Sequence, residues 1–208
     1  MEALLYLKVR NYNRVFKIFR KYYNTVPLEV FGKNPYKTLV STILSSRTKD
    51  EVTHKAAKKL FKVAPDIFKL GQLDQLEIRN LIYPVGFYKT KAKHLKALAG
   101  TVLESYRGKI PKTRDELMEL QGVGRKTANL VLNRAFGIPA IAVDTHVHKI
   151  SNLLGWVKTK TPEDTEKELV KTLPKKYWNE INRLFVSIGR QFTTKKKLVE
   201  FLKKEMLI

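Results

Sequence analysis

One segment constrains this chain more than any other: Leu120 to Leu154, LQGVGRKTANLVLNRAFGIPAIAVDTHVHKISNLL. It opens with a glycine turn, Gln121-Gly122-Val123-Gly124-Arg125, and continues as a helix pattern with Ala128, Val131, Leu132 and Ala135 on one apolar stripe. Gly137 and Pro139 stop that helix, and Ile141-Ala142-Val143 then delivers Asp144 to the start of another. Two glycines two residues apart let a backbone approach a ligand closely and present N–H groups to an anion. The helix that begins there adds the partial positive charge of its N-terminus. The segment therefore reads as a phosphate cradle with Lys126 and Asp144 near it in sequence.

Each residue taken alone has a plainer reading. Gly-x-Gly before a helix can be an ordinary tight turn, and an Asp at a helix start is most often an N-cap. A nucleotide loop is disfavoured: Gly122 to Thr127 lacks the third glycine of the dinucleotide fingerprint and the glycine before lysine that a Walker loop requires.

The rest of the chain is read as helical, without sustained period-two alternation or repeats. A first helix is expected over about 10 to 22, with Val15, Ile18 and Phe19 inward, followed by a loop with Pro27 and Gly32. Asn34-Pro35 forms a cap and first-turn pair for a helix burying Leu39, Val40 and Ile43. Asp50 is read as the cap of a third helix, and Leu76 to Ile82 as a short one. A long amphipathic helix follows Phe87; Lys89, Lys91 and Lys93 read as a charged, solvated face, and for Lys96 that reading and a functional one both stay open. Thr113 with Glu116 fits a capping box, and Thr161-Pro162 starts a later helix. Trp178, Ile181, Leu184, Phe185 and Ile188 read as core rather than as a base-stacking platform. In a last helix, about 195 to 206, Leu198, Phe201, Leu202 and Met206 form one stripe with Glu205 at its edge.

Charge says what such a chain meets. Its 208 residues carry 41 Lys and Arg against 19 Asp and Glu, a formal net charge of +22. That excess points to a polyanion, nucleic acid first and an anionic membrane surface second. No apolar run is long enough for a transmembrane helix, and the N-terminus MEALLYLKVRNYN does not read as a signal peptide, so an intracellular, nucleoid-associated protein without membrane contact is expected. There is no cysteine, which excludes disulfides, thiolate zinc sites and cysteine-ligated iron–sulfur clusters within this chain.

The segment LQGVGRKTA resembles the helix-hairpin-helix of the endonuclease III family of DNA glycosylases, and IAVDTHVHKISNLLGW resembles the aspartate-bearing stretch that follows it there. The likeness extends through NPYKTLVSTILSSRTKDEVTHKAAKKLF, IYPVGFYKTKAKHL and LPKKYWNEINRLFVSIGRQ, in the family's order, over roughly residues 30 to 192. The resemblance implies an all-α protein of two helical lobes with a DNA-binding cleft between them. One lobe would be residues 29–138, with the hairpin at about 113–136, and the other 1–28 plus 139–208. It implies a bifunctional glycosylase and AP lyase acting on duplex DNA with a damaged, oxidised pyrimidine or an abasic site, as a monomer.

In that resemblance Lys126 takes the place of the family's lysine nucleophile and Asp144 that of its catalytic carboxylate. A lysine amine attacks only when neutral, and a helix N-terminus with a neighbouring cation disfavours the ammonium form. Gly122, Val123, Gly124, Arg125 and Thr127 would face DNA, and His146 would sit near the site. Arg47 stands where relatives carry Gln and is expected to enter the space left by the extruded nucleotide. His146 and His148, two apart on a helix, do not face together, so no zinc pair and no catalytic metal are expected; His148 is read as packing or a phosphate contact. A cation on the carbonyls of Met118, Leu120 and Val123 is the one metal the hairpin could take.

Most relatives carry a four-cysteine cluster loop where this chain reads Phe192-Thr193-Thr194-Lys195-Lys196-Lys197. A packed C-terminal helix is expected in its place. Two other activities stay open at this point: a mismatch glycosylase for uracil or thymine opposite guanine, whose members usually lack the hairpin lysine, and a non-catalytic helix-hairpin-helix DNA-binding module.

Overall fold

The computed structural model describes residues 11–31 and 33–208. The expectations for residues 1–10 and for Gly32 lie outside these residues. Among the described residues the regular structure is all helical: twelve α-helices and two 3₁₀ turns, with no strand. The chain divides into two compact units, one of residues 27–142 and one of residues 11–26 with 143–208.

The unit of residues 27–142 holds α2 (Pro35–Ser45), α3 (Asp50–Val63), α4 (Ile67–Gln72), α5 (Gln75–Ile82), α6 (Tyr88–Tyr106), α7 (Arg114–Glu119) and α8 (Arg125–Phe136). Side-chain caps set most of the starts: Asn34 accepts from Lys37 N, Asp66 from Lys69 N, and Asp74 closes a capping box with Glu77. Asp50 is not a cap. Lys49 holds the cap position without a side-chain bond, and Asp50 falls in the first turn, where a carboxylate complements the helix dipole. Leu39, Leu44, Leu60, Ile78, Leu95, Leu98 and Val131 are fully buried in one core. Each such side chain contributes about 1.5–3 kcal/mol by leaving water. Within it α2 packs on α8, and α6 on α4 and α5.

The other unit holds α1 (Tyr12–Lys21), α9 (Thr145–Leu153), α10 (Pro162–Thr172), α11 (Trp178–Gln191) and α12 (Lys195–Lys204). Its core is aromatic. Phe16 stacks on Tyr177 with centroids 4.1 Å apart, Tyr12 meets Trp156 edge-on at 4.6 Å, and Phe19 meets Phe185 at 5.1 Å. These rings are buried, in line with a packing role.

The C-terminal helix forms as expected, with one difference. Leu198, Phe201 and Leu202 are buried, but Met206 is 70% exposed and Leu207 is buried in its stead. The helix ends at Lys204 with Glu205 as its C-cap, and Met206 takes a left-handed conformation at φ 53°. Leu207 N donates to Leu202 O at 2.8 Å and Met206 N to Lys203 O at 2.9 Å, the paired bonds of a Schellman ending. That turn swings the chain so that the residue after the left-handed position packs, which a straight helical count cannot anticipate. Glu205 lies at the stripe's edge and accepts the Tyr22 hydroxyl at 2.7 Å, a bond that raises the tyrosine's pKa.

Candidate active site

Thr113 caps α7, its hydroxyl accepting from Glu116 N and bonding the Glu116 carboxylate at 2.6 Å. The chain then turns through Leu120 to Gly124 into α8, with Val123 N donating to Leu120 O at 3.1 Å. Val123 is buried and anchors the turn from below. Gly122 has φ 80°, and a Cβ there would come within 2.8 Å of His94 Nδ1 on α6. Gly124 differs: it is the extended N-cap of α8, at φ −94°, and a Cβ added there would meet nothing within 4 Å. The first glycine is required by the fold itself, whereas the second leaves open space on the outside of the turn.

Arg125, Lys126 and Thr127 occupy the first turn of α8, with Lys126 exposed and Arg125 and Thr127 half-buried. Asn129 and Asn133, three and seven residues on from Lys126 and so on its side of α8, hold the return segment: Asn129 Nδ2 donates to Ile141 O and Asn133 Nδ2 to Ala140 O, both at 2.9 Å. These two bonds fix the extended stretch that runs on in sequence to Asp144. Sequence reading identified Asp144 but not the two asparagines.

Asp144 is the N-cap of α9. Its Oδ1 accepts from both His146 N at 3.0 Å and Val147 N at 2.9 Å. Within its own unit Oδ2 takes no hydrogen bond from a described residue, so one oxygen orients the carboxylate and the other keeps its lone pairs. His146 lies against Gly189 of α11, where any Cβ would collide with the imidazole. His148 points into its unit instead, Nδ1 meeting Thr165 Oγ1 at 2.6 Å, a packing role rather than a phosphate contact.

Arg47 is exposed in the turn after α2, in a left-handed conformation at φ 50°. Its guanidinium sits 5.4 Å from the Phe87 ring centroid, and Phe87 is itself exposed and left-handed at φ 56°. The expectation that Lys91 belongs to a solvated face fails: Lys91 is 6% exposed, and its ammonium donates to Leu44 O at 2.9 Å, Ser46 O at 2.6 Å and Thr48 Oγ1 at 3.2 Å. Burial lowers its pKa to about 8. Lys96 is also engaged, donating to Gly71 O at 2.7 Å. Neither lysine stands out in the sequence, because both keep the helical spacing of solvated neighbours.

Among the described residues no group of three or more His, Asp or Glu is placed to hold a metal ion. A cysteine-ligated cluster does not fit this chain. It has no cysteine, and the 191–204 region is filled by Phe192 stacked on Phe201 at 4.2 Å and by a helix capped by Thr194.

Residues 40–175 match the family model of the HhH-GPD superfamily base excision DNA repair proteins. The endonuclease III of Thermotoga maritima is 48% identical over 158 residues, 76% of this chain and 74% of that protein. The chain belongs to the endonuclease III family of the HhH-GPD superfamily. Endonuclease III-like protein 1 of Mus musculus is 45% identical over 75% of this chain, which spans 53% of that longer relative. Among solved structures, a trapped endonuclease III–DNA covalent intermediate superposes with a TM-score of 0.78 at 33% identity, covering 88% of this chain and 85% of that one. A non-covalent endonuclease III–DNA complex gives 0.79 with the same coverage. At its C-terminal end this chain has no cysteine and carries a helix packed through Leu198, Phe201 and Leu202. No described helix is long and apolar enough to cross a membrane.

Proposed function

We propose that this endonuclease III family member is a bifunctional DNA glycosylase and AP lyase that removes oxidised pyrimidines from double-stranded DNA. The observation that carries the reading is Lys126, an exposed amine on the first turn of the hairpin's second helix in a chain of this family. Its neutral Nζ attacks C1′ of the extruded nucleotide, a C1′–N bond forms, and the glycosidic bond breaks with its electrons leaving on the base. Loss of a proton and opening of the sugar give the Schiff base. Removal of a C2′ proton then drives β-elimination, which breaks the bond to the 3′ phosphate oxygen. The Asp144 carboxylate stabilises the positive charge developing at C1′, as carboxylates do in glycoside hydrolysis.

Gly122 and Gly124 present backbone N–H groups to a DNA phosphate, beside Arg125 and Thr127, while Val123, its own N–H bonded to Leu120 O, holds the turn and the start of α8 adds its dipole. Arg47 enters the stack where the nucleotide has left, and His146 lines the approach to Asp144. The carbonyls of Met118, Leu120 and Val123 would hold a cation if one binds the hairpin, and it would supply charge for DNA binding alone. The protein works as a monomer at the nucleoid and without an iron–sulfur cluster.

The test is a panel of duplexes carrying thymine glycol, 5-hydroxyuracil, uracil or thymine opposite guanine, 8-oxoguanine or an abasic site, each with borohydride present. Excision of the oxidised pyrimidines with a trapped protein–DNA adduct is expected. An undiminished adduct from Lys126→Ala, or excision confined to the mismatched uracil and thymine, overturns the reading.

A further inference from the structure

The turn that carries Arg47 is held from behind by one side chain. The last carbonyls of any helix lack intrahelical partners. At the end of α2, Leu44 O and Ser46 O are taken by the Lys91 ammonium, whose third donor goes to Thr48 Oγ1. The Thr48 hydroxyl in turn bonds Ser46 O and accepts from Gly86 N, both at 3.1 Å. Gly86 closes the other side: a Cβ there would strike the Arg47 carbonyl oxygen. The backbone of residues 46–48 is thus clamped between the Lys91 ammonium and the Gly86 main chain.

Outside the clamp, Arg47 and Phe87 are both exposed and both left-handed. A left-handed conformation is disfavoured for a residue with a Cβ, so two such residues in contact need a scaffold that over-determines them. A protein uses such a conformation where it must aim side chains outward from a fixed base. Three bonds from one ammonium, all to a single turn, supply that base.

We propose that Lys91 is a positioning residue, fixing the Ser46–Thr48 turn so that Arg47, stacked over Phe87, is presented to DNA in the conformation that enters the duplex. It acts through Arg47 and rests on the reading that Arg47 contacts DNA. At neutral pH the group remains an ammonium, which suits three acceptors and the negative end of α2.

The experiment is a double-mutant cycle of Lys91→Met and Arg47→Ala on a thymine glycol duplex, read by single-turnover excision. A 2-aminopurine opposite an abasic-site analogue reports side-chain insertion, and hydrogen exchange of the free protein reports the turn. Misplacing a contact group costs on the order of 10–100-fold, and each single variant is expected to fall in that range. The double variant should be no slower than Arg47→Ala alone. Exchange should speed up over residues 46–48 and 86–88, with α8 and α11 unchanged. Losses that multiply in the double variant overturn the positioning role, because a global stability defect would be independent of Arg47. Unchanged excision by Lys91→Met beside a defective Arg47→Ala overturns it alone. Unchanged excision by Arg47→Ala removes the DNA role of Arg47, and with it the role given to Lys91.

Discussion

Phe192 lies nearly parallel to Phe201, with ring centroids 4.2 Å apart and 17° between planes. Phe201 also touches Tyr22 edge-on at 5.1 Å and Phe19 at 6.3 Å, so one ring ties α12 to α1 and to the end of α11. Phe201→Ala is expected to lower unfolding free energy by about 3–5 kcal/mol, the range for a buried phenylalanine. Urea unfolding followed by circular dichroism measures it. A loss under about 1 kcal/mol would mean that the C-terminal helix is not part of the cooperative unit.

Asp144→Asn separates capping from catalysis. The cap uses Oδ1 alone, and an asparagine oxygen can accept from His146 N and Val147 N in the same way. Stability should stay within about 0.5 kcal/mol, since Asn caps about as well as Asp. Single-turnover excision should fall by about 10²-fold or more through loss of the negative charge. Retained rates in a variant of unchanged melting temperature would reduce Asp144 to a cap.

The two hairpin glycines give opposite tests. Gly122→Ala meets both a left-handed φ and His94, so it should destabilise the protein by about 1 kcal/mol or more before any DNA is added. Gly124→Ala enters open space at an ordinary φ, so the free protein should lose only the roughly 1 kcal/mol or less by which Ala is a poorer N-cap than Gly. DNA affinity should nevertheless drop alike for damaged and undamaged duplexes, because a phosphate contact carries no base information. Fluorescence anisotropy with both duplexes checks this; a loss confined to the damaged one would contradict a phosphate cradle.

Met206 offers a stabilising change. It holds the left-handed position of the α12 ending with its side chain exposed, so Met206→Gly removes strain and no packing. A gain of about 0.5–1 kcal/mol is expected, partly offset by the greater freedom of glycine in the unfolded chain. A lower melting temperature would show that the thioether makes a contact that matters.

Lys91 gives a pH signature. Its folded pKa of about 8 lies below that of an unfolded lysine, near ~10.4, so between these values the unfolded chain binds the extra proton. Its contribution therefore makes stability rise with pH across that window, the cost of burying the charge being full below about pH 8 and relieved above ~10.4. The difference between the wild type and Lys91→Met, measured by denaturant unfolding from pH 7 to 10.5, isolates this slope from the other lysines. A flat difference would mean that Lys91 titrates like an exposed amine.

Local signals in the sequence carried much of this architecture. Asn34-Pro35, Thr113, Thr161 and Gly137 mark helix ends through chemistry that acts within four residues, and the structure places a boundary at each. The short helix Ile67–Gln72 escaped because six residues give too little periodicity, although Asp66 caps it. Lys91 and His94 escaped for another reason: their partners, the turn after α2 and the glycine of the hairpin, are distant in sequence. Met206 was misplaced because a left-handed ending rotates the following residue off the helical count. Lys126 and Asp144 were legible as residues, but the division of labour between the two Asp144 oxygens appears only once α9 is built.

The ring stack and aliphatic stripe that close residues 191–207 have a consequence for where such a protein can operate. A closure made of phenylalanine and leucine draws on neither iron nor sulfide, so its fold does not wait on a cluster being inserted. Oxidants of the kind that damage pyrimidines find no metal there to strip and no thiolate to convert. This end of the chain should therefore keep its shape under oxidising conditions.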